Sequence, residues 1–98
     1  MPFRHVVMFR WAPHVDAAHV ERVREASEAL AAAIPQVRQM VHGSDVGVAE
    51  GNFDYVVVVD FDTVTDWRAY RDHPMHVLLF EELIKGHVTD RAAVQLAW

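Results

Sequence analysis

Seven histidines and two tyrosines are spread over the 98 residues of this chain, and one stretch sets three of them around a proline. It reads AYRDHPMH and carries Tyr70, His73 and His76. An imidazole with a pKa of about 6.5 can take up a proton at neutral pH, and a phenol can hydrogen-bond a carbonyl oxygen that gains negative charge. The pair suits proton abstraction beside a carbonyl, as in enolisation, aldol-type ring closure or decarboxylation. None of these needs a metal or organic cofactor, and none is expected here.

Geometry sets a condition on that chemistry. On one continuous helix the six residues from Tyr70 to His76 turn through about 240°, so the two side chains diverge. Pro74 disfavours helical geometry at His73 and is itself suited to the first turn of a new helix. The sequence therefore predicts two helices meeting at an angle at His73, with Tyr70 and His76 converging. A plainer reading stands beside it. A tyrosine at a helix end usually packs its ring in the core, and a histidine beside a proline often caps a helix.

The remaining candidates flank this pair. His73 and His76 are three residues apart, yet there is no H-E-x-x-H pattern and no cysteine, and the break at Pro74 spoils their helical register. No metal site is expected. His5 shares a strand face with Val7 and Phe9, and Tyr55, Val57 and Val59 lie on a later strand. Val7, Phe9, Val57 and Val59 are expected to form an apolar pocket wall, bordered by His5, Tyr55 and His73. His42 lies beside a turn near that wall, whereas His14, His19 and His87 read as surface residues.

Patterning then supplies the elements that must position these groups. Phe3 to Trp11 alternates as a strand. Asp16 is a plausible N-cap for a helix with Val20, Val23, Leu30 and Ile34 at helical spacing, which Pro35 halts. VRQMVHGSDVG reads as a weaker strand entering a turn at residues 43–51, and Phe53 to Phe61 as the strongest strand. A short helix from Thr63 to Asp72, a longer one from Pro74 to Lys85 and a closing strand, RAAVQLAW, complete the order β-α-β-β-α-β. That order predicts a ferredoxin-like α+β fold, a four-stranded antiparallel sheet with its helices on one face. The whole span, residues 1–98, reads as one domain.

Both faces of this sheet are partly apolar. Val6, Met8, Val56 and Val58 fall on the side that the helices leave uncovered, so a homodimer with sheets face to face is expected, giving a dimeric α/β barrel. Arg4, Arg10, Asp54 and Asp60 edge that face. The net charge of −5 disfavours nucleic acid or an anionic membrane as ligand. With no cysteine, no signal-peptide pattern and no apolar run of membrane-spanning length, a cytoplasmic protein is the expectation.

Almost the entire chain resembles the stress-responsive dimeric α/β-barrel (Dabb) family. The matching pieces, in order, are RHVVMFRW, AIPQV, GSDVG, FDYVVVVDF and AYRDHPMH, the last similar to the family's Y-x-x-H-P-x-H signature. The resemblance implies the same subunit fold and the same dimer. Some members are plant polyketide cyclases that close a linear chain by intramolecular aldol condensation without a cofactor. Their catalytic tyrosine and histidine fall on Tyr70 and His76, and His5 and His73 also match histidines there. Helix-one aromatics of the cyclase pocket are replaced here by Arg24 and Ser27, and a strand-three histidine by Tyr55, so the resemblance implies a different pocket. An arginine facing it would favour a carboxylate over an alkyl tail.

Two classes of function follow. One is a cofactor-independent enzyme of the cyclase, aldolase or decarboxylase kind acting on a keto or aromatic acid, with His76 as base and Tyr70 as oxyanion donor; a cofactor-free monooxygenase is a variant. The other is a non-catalytic stress-response or ligand-binding dimer. They part on whether a cavity reaches both side chains.

Overall fold

Strict alternation decides the first strand of the computed structural model, which describes residues 1–98. In β1 (Phe3–Trp11) the side chains of Phe3, Val7 and Phe9 are buried under the helices, while Arg4, Val6, Met8 and Arg10 face the other way. β2 (Gln39–Ser44), β3 (Tyr55–Phe61) and β4 (Val88–Ala97) complete one antiparallel sheet in the order β2-β3-β1-β4. Three helices follow β1 and β3: α1 (Ala17–Ala33), α2 (Val64–Asp72) and α3 (Pro74–Leu79), the last running into a π turn over Phe80–Ile84. No helix is long and apolar enough to cross a membrane.

Local chemistry places the helix ends. Asp16 caps α1 by accepting the His19 amide at 2.9 Å, and Ile34, extended ahead of Pro35, ends it. His19, Val23, Ser27 and Leu30 then share one buried face. That face lies on Tyr55, Val57, Val59 and Phe61 of β3, which with Phe3, Val7, Phe9, Ile34, Tyr70 and Ile84 complete the core. Thr63 caps α2 by accepting the Asp66 amide.

Three sequence expectations shift in detail. β3 begins at Tyr55 rather than Phe53, because the Asp54 carboxylate turns to the Trp11 amide at 2.9 Å and the Arg10 guanidinium covers the Phe53 ring. β4 starts at Val88 rather than Arg91, two residues after Gly86, whose φ of 80° is a conformation that a side chain would strain. The expected helix from Pro74 to Lys85 is α-helical only to Leu79. Beyond it the Lys85 amide donates to the Phe80 carbonyl, a five-residue step.

The wider turn frees a carbonyl that explains another correction. His19 is buried, not on the surface, since its Nε2–H donates to the Leu83 carbonyl at 2.8 Å and its ring stacks on His87. His87 is half-buried and pairs with the exposed His14 at 3.0 Å. Histidine types alone carry no sign of such mutual packing.

The opposite face of the sheet has no helix on it. Register puts Val41, Val58, Val6 and Val94 in one row across all four strands, with Gly43, Val56, Met8 and Ala92 in the next. At one end of the rows Arg4 holds Asp60 through two hydrogen bonds of 2.7 and 2.9 Å and lies over the Trp98 ring. Val41, Val94, Leu96 and Trp98 on this face are exposed large apolar residues.

Candidate active site

The helix break is built by His73. Its backbone is extended (φ −63°, ψ 135°), its amide donates to the Tyr70 carbonyl, and its Nδ1 accepts the Met75 amide at 3.1 Å. It is thus both the end of α2 and the cap of α3, with Pro74 in the first turn where no amide is needed. The change of direction brings His76 back over α2. Its Nδ1–H donates to the Arg71 carbonyl at 3.1 Å, and its ring lies 4.6 Å from that of Tyr70, centroid to centroid.

That bond settles the tautomer. With Nδ1 carrying the proton, neutral His76 has a free lone pair on Nε2, which is the atom a general base needs. Burial pushes its pKa below the usual imidazole value, against the pull of the Arg71 carbonyl and Asp72, so it is neutral at pH 7. Burial likewise pushes Tyr70 up to about 12. Tyr70 therefore stays a phenol and a donor, and its ring is wedged against Phe61. No sealed polar atom lacks a partner, and no protein group bonds the Tyr70 hydroxyl. It opens onto a cavity.

The cavity has a volume of about 290 Å³ and lies between the helices and the sheet face of β1 and β3. Its wall is mostly apolar and includes Val23, Leu30, Val57 and Ile84. Of its polar members His5, Tyr70, His76 and Arg91, Tyr70 packs on His76, and Arg91 and His76 lie close enough to act on His5. Gln95 donates to His5 Nδ1 at 3.0 Å, which leaves Nε2 to carry the His5 proton, and Trp67 packs against that ring. Burial, then the charges of Arg91 and His76, push His5 down to about 4. It remains a neutral donor through the physiological range.

That shift has a consequence for stability. The unfolded chain protonates His5 at about 6.5, the folded one only near 4, so between these pH values the unfolded state binds more protons. The contribution is complete above about pH 6.5 and is lost as pH falls toward 4. Urea titrations over that window are expected to show a stability slope that decreases by up to about one proton in His5→Gln. An unchanged slope would place His5 in solvent.

Among the residues expected at the site, the structure brings together Tyr70, His76, His5, Val7, Phe9 and Val57. Tyr55, Val59 and His73 do not line the cavity. The Tyr55 hydroxyl turns instead to His42 at 2.8 Å, which in turn meets Glu28 at 2.6 Å. Val59 is fully enclosed in the core, and His73 Nδ1 is engaged in the cap. Of the two helix-one positions, Ser27 faces the cavity and Arg24 does not, being drawn to Glu21 at 2.6 Å. Sequence reading missed Trp67, Phe80 and Arg91. Arg91 was legible in principle, because it takes the helix-side face of β4 opposite Phe9.

Comparisons with known proteins agree on the architecture. A dimeric ferredoxin-like protein of unknown function from Thermobifida fusca is 42% identical, with a TM-score of 0.93 over 100% of this chain and 92% of that one. A dimeric protein of unknown function with a ferredoxin-like fold from Bacteroides fragilis is 24% identical, with a TM-score of 0.81 over 99% and 96%. A hydroxynitrile lyase from Passiflora edulis shares the fold at 15% identity, with a TM-score of 0.84 over 97% and 91%. Among curated proteins nothing matches. The profile of the stress responsive A/B barrel domain spans residues 3–97, and the chain belongs to that family.

Proposed function

We propose that the protein is a cofactor-independent enzyme that removes a proton from the carbon beside a carbonyl of a small keto or aromatic acid. The observation that carries this reading is the bond from His76 Nδ1 to the Arg71 carbonyl, which leaves Nε2 free beside a Tyr70 phenol that has no protein partner. In the step envisaged, Nε2 takes the proton and the C–H electron pair moves into the carbonyl. The resulting enolate oxygen accepts a hydrogen bond from Tyr70, with the neutral His5 N–H as a second donor. Delivery of that proton from His76 to the enolate oxygen gives the enol, its return to carbon gives hydrogen exchange, and attack of the enolate carbon on a second carbonyl, whose oxygen then takes the proton, gives aldol closure. A weakly basic imidazole suits acidified C–H bonds, such as those of keto acids, better than unactivated ones.

A hydroxynitrile lyase from Passiflora edulis has the same fold, so the fold is compatible with an enzyme; the likeness carries neither the reaction nor the substrate to this chain. One observation favours a binding protein instead: the group orienting His76 is a neutral carbonyl and not a carboxylate, and its upward pull on the imidazole pKa is outweighed by burial, so the ring is left a weak base. Phenylpyruvate in D2O separates the two. The enzyme reading expects its methylene protons to exchange faster than with the same concentration of free imidazole. Saturable shifts in protein resonances with no added exchange would support the binding reading and contradict the catalytic one.

The active unit is proposed to be a homodimer joined through the open sheet face. Its support is the four-valine row on that face and the dimeric state of the Thermobifida fusca protein.

A further inference from the structure

The cavity of this acidic protein is lined by two arginines and by no aspartate or glutamate. The Arg71 guanidinium is already held by Asp72 at 2.8 Å. Arg91 differs. Its neighbour Asp90 turns one carboxylate oxygen to the Arg91 amide and the other toward Arg10, and no carboxylate lies within ion-pair distance of the Arg91 guanidinium. The ion pairs of the chain engage Arg4, Arg10, Arg24, Arg38, Arg71 and Lys85.

Position explains why this cation matters. Arg91 stands on the edge strand β4, in register with Phe9, which also lines the cavity. Farther along the same face are Ala93 and Gln95. Arg91 and His5 both line the cavity, and the Arg91 charge reaches the His5 ring, which Gln95 holds from the same strand. A planar guanidinium offers paired donors that match a carboxylate, and a low-dielectric wall on one side strengthens the attraction.

We infer that Arg91 is the anchor for the carboxylate of the ligand, holding an aryl or short-chain acid by its charged end while its carbonyl lies against Tyr70 and His76. The inference deepens the proposed function by naming the substrate's charge and the residue that selects it. An anchored carboxylate beside a keto group also acidifies nothing by itself; its role is positioning. It holds one end of the molecule so that the reacting carbon rests under His76 Nε2. At about 290 Å³ the cavity is at the small end of ligand pockets, which fits a single ring with a short acid chain.

The test compares 3-phenylpropanoate with its neutral amide, 3-phenylpropanamide, by calorimetric titration. Wild type is expected to bind the acid at least about tenfold more tightly than the amide. Arg91→Gln is expected to abolish that preference, Arg91→Lys to keep part of it, and Arg24→Gln, a cation outside the cavity, to leave it intact. Because Arg91 is exposed, these variants are expected to melt with wild type. A wild type without the preference, or an Arg91→Gln protein that retains it, overturns the inference. The outcome is separable from the catalytic reading. Preference that depends on Arg91 without exchange of phenylpyruvate keeps the anion site and removes the enzyme; exchange unaffected by Arg91→Gln does the reverse.

Discussion

His76→Gln is expected to lower the exchange of phenylpyruvate methylene protons by about a hundredfold to ten-thousandfold, with little change in melting temperature. Glutamine can still donate to a carbonyl, but it has no basic lone pair. The side chain is only half-buried, and the bond it makes to Arg71 is a single neutral one, worth about 1 kcal/mol net. Stability and rate should therefore separate. Tyr70→Phe belongs to the same experiment. Removing a preorganised oxyanion donor costs about a hundredfold or more in rate, and the hydroxyl has no protein partner to lose. The phenylalanine variant should be as stable as wild type or slightly more so, as expected for a polar group kept at a cost to the fold. If either variant loses stability and not rate, the pair packs the core and does no chemistry.

The second large effect concerns assembly. Val58→Glu puts a carboxylate in the middle of the row Val41, Val58, Val6 and Val94. In an isolated subunit that face is open to water, so the substitution should be tolerated. Between two sheets packed face to face it would bury an unpaired charge, which costs several kcal/mol. Wild type is expected to sediment as a dimer and Val58→Glu as a monomer, with a dimer dissociation constant raised at least about a hundredfold. The monomer should also melt at a lower temperature, because Val94, Leu96 and Trp98 lose their cover. A wild type of monomer mass, or a Val58→Glu protein that stays dimeric, places the contact elsewhere.

The elements that carry these effects were largely visible in the sequence, and for physical reasons. Alternation in β1 and β3 specified which side chains turn to the helices. Pro74 specified where one helix must stop and another begin, and from this the meeting of Tyr70 and His76 followed. What sequence did not disclose depends on the third dimension. Tyr55 and Val59 lie on the correct face of β3, but the Tyr55 hydroxyl turns to His42 and Val59 is sealed within the core. His73 has the right type and spacing, yet its Nδ1 is committed to capping α3 and its ring stands outside the cavity wall. The π turn that brings Phe80 and Ile84 to the cavity has no pattern of its own. Arg91 faces the helices from an edge strand, where a charge is ordinarily read as solvated; only the cavity beside it gives it a role.

The central claim is that neutral His76 is a base in this cavity, and the pH dependence of phenylpyruvate exchange tests it most directly. Burial holds His76 below the ordinary imidazole value, so the enzyme-dependent rate is predicted to be flat at and above neutral pH and to fall on the acid side with a midpoint below about 6.5. An enzyme-dependent rate of zero, or one that climbs with hydroxide across the whole range as the buffer reaction does, would contradict it.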